Sequence, residues 1–300
     1  MTSETITADA ARTRRLGDTT VGRIGFGAMR PTGDAAFHLG TPSDRDRSVA
    51  VLRKAVDLGV NHIDTAAFYF STLRSANELI NSALAPYRTT CSSPRRSAPS
   101  ATGRGSGAPR PAPRTSAATS RRTCAARPRP PRPRPPAPDE PGVDRRTLGA
   151  LAELRQAGLV RHPGISGVEP RHLAGVQAIA PVVGVQNHYG LGDHRPAAEE
   201  LLRLCGEQGI AFVPFYAVAG DGGLRGATTA HDEAVLAAAR AHGASPAQIR
   251  LAWTLAQGPH VLAVPGTGNP EHLRENVAAG ALRLTDEELD RLNEAHVKAG

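Results

Sequence analysis

Asp64 and Tyr69 have types and a spacing that could support proton transfer. The run VNHIDTA at 60–66 is typical of a buried strand, which places Asp64 near the carboxyl end of that strand and Tyr69 in the following loop. A tyrosine phenol is a poor acid at neutral pH, so it needs a nearby cation or a hydrogen-bond relay to act as a donor. An aspartate at this position could hold a lysine ammonium against the phenol. The spacing is also consistent with a loop hydrogen bond and a packed aromatic ring.

A second polar cluster lies near the carboxyl terminus, in the run PGTGNPEH at 265–272. The run follows the strand-like segment VLAVPG and leads into a helical pattern at 270–279. Because a helix amino-terminus offers free backbone N–H groups, this loop is a natural site for a phosphate group. The same residues also suit a plain turn with helix-capping side chains.

These residues lie on a regular alternation of strands and helices. Two strand–helix units precede residue 88, and four strand-like runs follow residue 138. The 51 residues between would accommodate strand–helix–strand, which makes eight strands. We therefore predict an α/β fold, a single (β/α)8 TIM barrel, with its chemistry at the carboxyl ends of the strands. A doubly wound sheet is the alternative, but GFGAMR lacks the G-x-G-x-x-G phosphate fingerprint.

Residues 88–138 contrast with both flanks. They contain only Arg, Pro, Ala, Ser, Thr, Gly and Cys. A chain without larger apolar side chains cannot bury enough surface to offset its ordering entropy, so we expect no stable strand or helix in this interval. The predicted organisation is a flexible N-terminus (1–18), two β/α units (19–87), this disordered insert (88–138), and the remaining units with the cofactor site (139–300).

The net charge of +8 has its origin in the same interval. Residues 88–138 hold 12 Arg and no acid, which leaves 24 basic and 28 acidic residues, a net charge of −4, for the rest of the chain. We therefore expect no nucleic-acid partner, with an Arg-rich nucleic-acid binder on a barrel scaffold as an alternative. No run suggests a membrane span or signal peptide, and the three cysteines show no disulfide or metal-ligand pattern. The expected setting is cytoplasmic, with no membrane partner and no metal.

Several runs resemble the aldo-keto reductase family in order and spacing. They are GFGAMR and HIDTAAFY in the first flank, then GISGVEPRHL, VQNHY and PGTGNPEHLRENV in the second. The resemblance covers residues 20–87 and 140–297. It implies reversible hydride transfer between NADPH, sometimes NADH, and a small-molecule aldehyde or ketone. It also implies that Tyr69 is the protonating group and that Asp64 supports it.

The resemblance also implies a dinucleotide site at the carboxyl ends of the strands. Ser166 and Gln186 would hold the nicotinamide amide, and Phe215 or Tyr216 would stack on its ring. The other members would be Gly27 after the first strand, and Thr267, His272, Glu275 and Asn276 around the adenosine and its 2′-phosphate.

Several positions depart from the family pattern. Gly167 stands where an asparagine amide usually contacts the nicotinamide, and Ala67 occupies a position that is often acidic. His272 replaces the arginine common in NADP-selective members, which leaves NAD as an alternative cofactor. The family's catalytic Lys, at the end of the third strand, and His, at the end of the fourth, have no counterpart. We therefore expect little or no turnover from this chain.

The missing residues suggest that this interval is translated out of register. If the last base of each codon is joined to the first two of the next, residues 89–103 can yield DDLLIATKVGAERDG, an apolar strand ending in Lys. When the reading register is shifted by one further base, residues 126–134 can yield LGLDRLDLV, a fourth strand. The codons that follow this strand can then encode a His. The lost Lys would fall at about Arg96 and the lost His at Ala137. The alternative is a non-catalytic dinucleotide-binding barrel with an Arg/Pro-rich interaction arm.

Overall fold

Parallel strands alternate with helices along the described chain, as the sequence predicted. The structure, a computed structural model, describes residues 6–33, 41–85, 94–97, 123–126, 145–218 and 233–298. Its strands are β1 (Thr13–Leu16), β2 (Thr19–Gly22), β3 (Phe26–Gly27), β4 (Ile63–Ala66), β5 (Pro94–Ser97), β6 (Thr123–Ala126), β7 (His162–Ser166), β8 (Gly184–Gln186) and β9 (Ala211–Phe212). Its helices are α1 (Arg45–Asp57), α2 (Ala76–Leu84), α3 (Arg145–Gln156), α4 (Pro170–Gln177), α5 (Pro196–Glu207), α6 (Glu233–His242), α7 (Pro246–Ala256), α8 (Pro270–Ala278) and α9 (Asp286–Lys298). In these ranges, no helix has the length and apolar character needed to cross a membrane.

The strands β3 to β9 form one sheet in chain order, each parallel to its neighbours. The segment after α7 closes this sheet, because Val261 bridges Phe212 of β9 and Ala263 bridges Ile24 before β3, both in parallel. The N–H of Gly25 donates to the Ala263 carbonyl at 2.8 Å. This segment is the eighth strand of the barrel, so the described strands form the predicted (β/α)8 barrel. We call the eight barrel strands, β3 to β9 and this segment, the staves.

Two strands lie in the interval that we expected to be without secondary structure. β5 pairs with β4 and β6, and β6 also pairs with β7. The expectation is therefore wrong for Pro94–Ser97 and Thr123–Ala126, and the rest of 88–138 lies outside the described residues. The prediction considered side-chain burial, whereas strand pairing uses backbone N–H and C=O groups that nearly every residue carries. Pro94 stands at the first residue of its strand, where a missing donor is tolerated.

The amino-terminal segment is also folded where we expected flexibility. Ala8–Ala11 form a 3-10 turn with both end residues buried, and β1 and β2 follow as an antiparallel hairpin. Leu16 and Val21 of this hairpin pack against β9 and the eighth stave. The expectation of a flexible 1–18 is wrong for this part, and residues 1–5 lie outside the described ones. The few apolar residues in this polar stretch gain burial only from distant elements, so a local pattern could not reveal it.

A buried histidine lies beside the first two staves of the barrel. His62, directly before β4, is 2% exposed, and neither ring nitrogen has a hydrogen-bond partner among the described residues. Gly25 makes room for the ring, because a Cβ at Gly25 would lie 2.1 Å from His62 Nε2. Burial lowers the pKa of His62 to about 4, and the nearby Asp64 carboxylate opposes this only in part. The imidazole is therefore neutral in the folded chain at neutral pH.

The buried His62 makes the stability of the fold depend on pH. Below pH 6.5 the unfolded chain protonates this histidine, while the folded chain resists protonation down to about pH 4. Stability therefore falls as the pH drops through this window, by up to about 1.4 kcal/mol per pH unit. Urea unfolding of the full chain at about pH 7.5 and about pH 5 measures the loss. His62→Leu should lose about 2 kcal/mol less than the wild type between these pH values.

The matched control is His272→Gln, which replaces an exposed histidine and should keep the wild-type pH dependence. Equal losses in His62→Leu and the wild type would contradict the role given to the buried imidazole.

Candidate active site

The structure brings Asp64 and Tyr69 together at the carboxyl end of β4. Both side chains are buried, and the Tyr69 hydroxyl donates to Asp64 Oδ2 at 3.3 Å. The N–H of Tyr69 donates to the Ala66 carbonyl at 3.1 Å, so a tight turn folds the loop back over the strand end. The Phe68 ring packs edge-on against Tyr69, with ring centroids 5.2 Å apart. The turn and the ring contact together fix the phenol beside the carboxylate.

Gln186, the last residue of β8, joins this pair. Its Nε2 donates a hydrogen bond to Asp64 Oδ1 at 3.1 Å, although the two residues are 122 positions apart in the chain. Both oxygens of the Asp64 carboxylate therefore accept hydrogen bonds, which offsets the cost of burying the charge. We expected Gln186 to hold a cofactor amide, and its contact with Asp64 was not predicted, because no local pattern in the sequence links residues on separate staves.

Ser166 ends β7 and has a hydroxyl available for a ligand. Its side chain is fully buried, and its Oγ has no hydrogen-bond partner among the described residues. Leaving a buried hydroxyl unsatisfied costs about 1–3 kcal/mol, so a polar ligand group would stabilise it. Ser166 is also paired in register with Gln186. A hydroxyl and an amide on adjacent strand ends suit a carboxamide, so these residues could hold the nicotinamide amide expected there.

Asn187, which the sequence analysis did not single out, holds the loop after Ser166. Its Oδ1 accepts a hydrogen bond from the Val168 N–H at 3.1 Å, and its Nδ2 donates to the Val168 carbonyl at 2.7 Å. Gly167, between Ser166 and Val168, has a φ of +65°, a left-handed conformation that glycine adopts without strain. The departure at Gly167 therefore matches the backbone that this loop requires.

Phe215 and Tyr216 follow β9 and form an aromatic cluster with His188, which the sequence analysis also missed. The rings of His188 and Phe215 stack with centroids 5.5 Å apart and planes 13° from parallel. Tyr216 packs edge-on against both rings, at 5.1 Å from His188 and 5.0 Å from Phe215. Tyr216 has a φ of +66°, and such a conformation costs a bulky residue about 1–3 kcal/mol. Strain of this kind is typical of residues that contact a ligand, which favours Tyr216 as the ring contact.

Gly27 has a packing role where the first stave meets the eighth. A Cβ at Gly27 would lie 2.6 Å from the Val264 carbonyl oxygen, and a Cβ at Gly266 would lie 2.5 Å from the Gly27 carbonyl oxygen. Gly27 is also paired in register with Asp64. The two glycines therefore allow the close backbone approach that positions the strand beside Asp64.

The loop after the eighth stave leads directly into the amino-terminus of α8. Thr267 is buried, and its Oγ1 accepts a hydrogen bond from the Asn269 N–H at 3.0 Å. The Asn269 side chain then caps the helix by accepting from the Glu271 N–H at 3.0 Å. The loop is thus held in a fixed conformation at a helix end that favours anions.

The other three predicted residues of this region lie on α8 in different surroundings. His272 is exposed and Asn276 is buried. Glu275 contacts the start of α7, because its Oε2 accepts from Ser245 Oγ at 3.4 Å. These residues and the capped loop form a surface that could hold the adenosine end of a dinucleotide.

His194, Glu199 and His296 form the group of potential metal ligands found in the described residues. His296 Nε2 lies 2.8 Å from Glu199 Oε1, and the Gly192 N–H donates to His296 Nδ1 at 3.1 Å. Because Nδ1 accepts a hydrogen bond, the ring N–H lies on Nε2 and is donated to Glu199. The lone pair that a metal would need at Nε2 is therefore occupied, and the cluster is a hydrogen-bond network.

Comparison with known proteins assigns this chain to one family. The model of the aldo/keto reductase family matches residues 23–98 and 126–297. Pyridoxine 4-dehydrogenase of Escherichia coli K12 is 35% identical over an alignment 301 residues long. The alignment covers 95% of this chain and 98% of that protein. An uncharacterized oxidoreductase of Schizosaccharomyces pombe is 32% identical over 296 residues, which cover 97% of this chain and 92% of that protein.

Solved structures agree with the described fold. An aldo-keto reductase from Klebsiella pneumoniae in complex with NADPH superimposes with a TM-score of 0.71 at 23% identity, covering 95% of this chain and 94% of that one. A thermostable aldo-keto reductase in complex with the inhibitor epalrestat gives a TM-score of 0.68 at 25% identity, covering 94% of this chain and 99% of that one. The chain therefore belongs to the aldo/keto reductase family.

Proposed function

We propose that this chain is an NADPH-dependent carbonyl reductase in its architecture, with Tyr69 as proton donor and Asp64 as its supporting carboxylate, and that its turnover is lost or severely impaired. The observation that supports this most is the buried set of hydrogen bonds from Tyr69 and Gln186 to Asp64. It lies at the carboxyl ends of β4 and β8, where barrel enzymes carry their chemistry.

The cofactor site uses residues at the same ends of the staves. Ser166 and Gln186 hold the carboxamide, and Phe215 or Tyr216 contacts the ring. The other contacts are Gly27, Thr267, His272, Glu275 and Asn276 around the rest of the dinucleotide. NADPH in the Klebsiella relative supports NADP as the cofactor, and the absence of an arginine at His272 keeps NAD as the alternative. When bound, the reduced cofactor supplies a hydride to the carbonyl carbon of the substrate.

Tyr69 holds the proton that the carbonyl oxygen needs. Its hydroxyl donates to the Asp64 carboxylate at 3.3 Å, so the phenol carries its proton in this arrangement. To protonate a substrate, the phenol needs a cation that stabilises its conjugate base. The family supplies this cation as a lysine at the end of the third stave.

No lysine of this chain can take that place. Lys54 and Lys298 are its two lysines, and they lie on α1 and α9, which are outer helices rather than strand ends. In the backbone register, Arg96 of β5 pairs with Ala66 of β4, two residues after Asp64. Position 96 is also where the out-of-register translation returns a lysine, so the register supports this hypothesis for β5. The fourth strand obtained from the out-of-register translation covers 126–134, whereas β6 ends at Ala126. In the chain as written, the fourth strand of the barrel is therefore formed by a different segment.

The full chain should bind NADPH weakly, because part of its nicotinamide site is missing. Fluorescence titration with NADPH measures the affinity, and far-UV circular dichroism checks the fold of each variant. Asn276→Ala should weaken binding by about tenfold, the loss expected when about 1.4 kcal/mol of contact is removed. Asn81→Ala, an exposed position on α2, is the matched control and should leave binding unchanged. Undiminished binding in Asn276→Ala would show that the cofactor lies elsewhere.

Replacement of residues 89–138 by their out-of-register translation should restore the lysine, the histidine and turnover together. The repaired protein should reduce a simple aromatic aldehyde with NADPH, and pyridoxine, named in the Escherichia coli relative, is the alcohol to test with NADP+. In this background Tyr69→Phe should lower kcat by about a thousandfold or more with little change in cofactor affinity, since only the proton donor is removed. Asp64→Asn should also be severe, because the restored lysine loses its carboxylate.

Tyr189→Phe is the matched control for this experiment. It removes a buried phenol hydroxyl that donates to Glu199, away from Asp64, and should keep activity. Full activity in Tyr69→Phe would contradict Tyr69 as the acid. NADPH binding without turnover in the repaired protein would favour the non-catalytic dinucleotide-binding alternative.

A further inference from the structure

A cavity of about 310 Å³ lies at the amino-terminal end of the barrel, and three arginines line it. Its wall contains Arg12, Arg23 and Arg283, together with the end of α7 and the turn after α8. We call it the arginine cavity. Most of its lining residues directly precede the first or the eighth stave, so it lies at the opposite end of the staves from Asp64. No lining residue is acidic.

Two of the arginines are fixed by backbone carbonyls. Arg23 donates to Leu255 O at 2.5 Å, Gly258 O at 2.6 Å and Val261 O at 3.1 Å. These bonds cap the end of α7 and hold the guanidinium in place, but carbonyl oxygens carry only partial charge and do not neutralise it.

Arg283 is held in a similar way at the other side of the cavity. It donates to Gly280 O at 2.7 Å, Leu282 O at 2.8 Å and Ala10 O at 2.9 Å. Two cations are therefore immobilised at one cavity without a carboxylate partner among the described residues.

Arg12 is the third cation, and its side chain has no bond within the described fold. No described residue accepts a hydrogen bond from its guanidinium, and the side chain is exposed. Its backbone has a φ of +65° and a ψ of −178°, a conformation that glycine adopts freely and that costs another residue about 1–3 kcal/mol. Two backbone hydrogen bonds hold this conformation, from the Arg12 N–H to the Asp9 carbonyl and from the Arg23 N–H to the Arg12 carbonyl, both at 2.9 Å. The exposed guanidinium is therefore the part of Arg12 that has no bond within the described fold.

The arginines also repel one another. Burial, followed by the charges of Arg12, Arg283 and Arg14, lowers the pKa of Arg23. An anion in the cavity would reduce this repulsion and accept the N–H donors that the carbonyls leave unused. Guanidinium groups match the planar carboxylate and the tetrahedral phosphate better than they match other anions.

We propose that the arginine cavity binds a small oxyanion, the phosphate or carboxylate group of a small molecule, through Arg12, Arg23 and Arg283. The site is separate from the proposed cofactor site and does not depend on the proposed function. Arg12 supplies the contact that can be removed without loss of a bond within the fold.

Thermal unfolding of the full chain with inorganic phosphate, against potassium chloride of equal ionic strength, tests the proposal. Phosphate should raise the Tm of the wild type saturably by about 3 °C, because it binds only the folded form. Arg12→Gly should abolish this saturable rise, and without phosphate its Tm should equal or exceed that of the wild type, because glycine relieves the backbone strain. Succinate in place of phosphate tests the carboxylate: the anion with the larger saturable rise identifies the preferred group.

Two controls separate this cavity from other effects of phosphate. Arg291→Gln removes an exposed arginine on α9 that pairs with Glu287, and it should keep the full rise. Arg240→Gln, which removes an exposed arginine on α6 that pairs with Glu233, should also keep it. An equal rise in Arg12→Gly and the wild type would overturn the proposal, as would a wild type that responds no more to phosphate and succinate than to chloride.

Discussion

The two oxygens of the buried Asp64 carboxylate accept hydrogen bonds from different parts of the barrel, the phenol of Tyr69 and the amide of Gln186. These two bonds offset part of the cost of burying the carboxylate, because an unsatisfied buried carboxyl group is costly. The first bond depends on the turn after β4, and the second depends on β8 across the barrel. Every feature that fixes the spacing of these staves, including the glycine contact between Gly27 and Gly266, therefore also fixes the site.

The sequence predicted the features that have a local cause. The alternation of strands and helices, and the pairing of Asp64 with a nearby Tyr69, follow from periodicity and from five residues of separation. Gln186 on Asp64, Asn187 on the loop after Ser166, and the N-terminal hairpin depend on residues brought together only by the closed barrel, so no local pattern revealed them. The error at β5 and β6 has another origin: composition governs what a segment can bury, whereas backbone pairing depends on the neighbouring strands.

The two ends of the barrel differ in the cationic side chains that they contain. At the carboxyl end, the proposed chemistry needs a lysine beside Tyr69, and neither of the two lysines of the chain lies there. At the amino end, Arg12, Arg23 and Arg283 line one cavity without an acidic residue. Family membership therefore describes the scaffold, while the proposed loss of turnover rests on the lysine and histidine that the Arg/Pro-rich interval does not supply.

The most direct test of the account compares the chain as written with the protein in which residues 89–138 are replaced by their out-of-register translation. NADPH oxidation by an aromatic aldehyde is followed under single-turnover conditions with both proteins saturated with cofactor. The account predicts that both bind NADPH and that the repaired protein oxidises it at least about a thousandfold faster. Rates within about tenfold of each other would contradict it, since they would show that this chain carries out the reaction without the family's lysine and histidine.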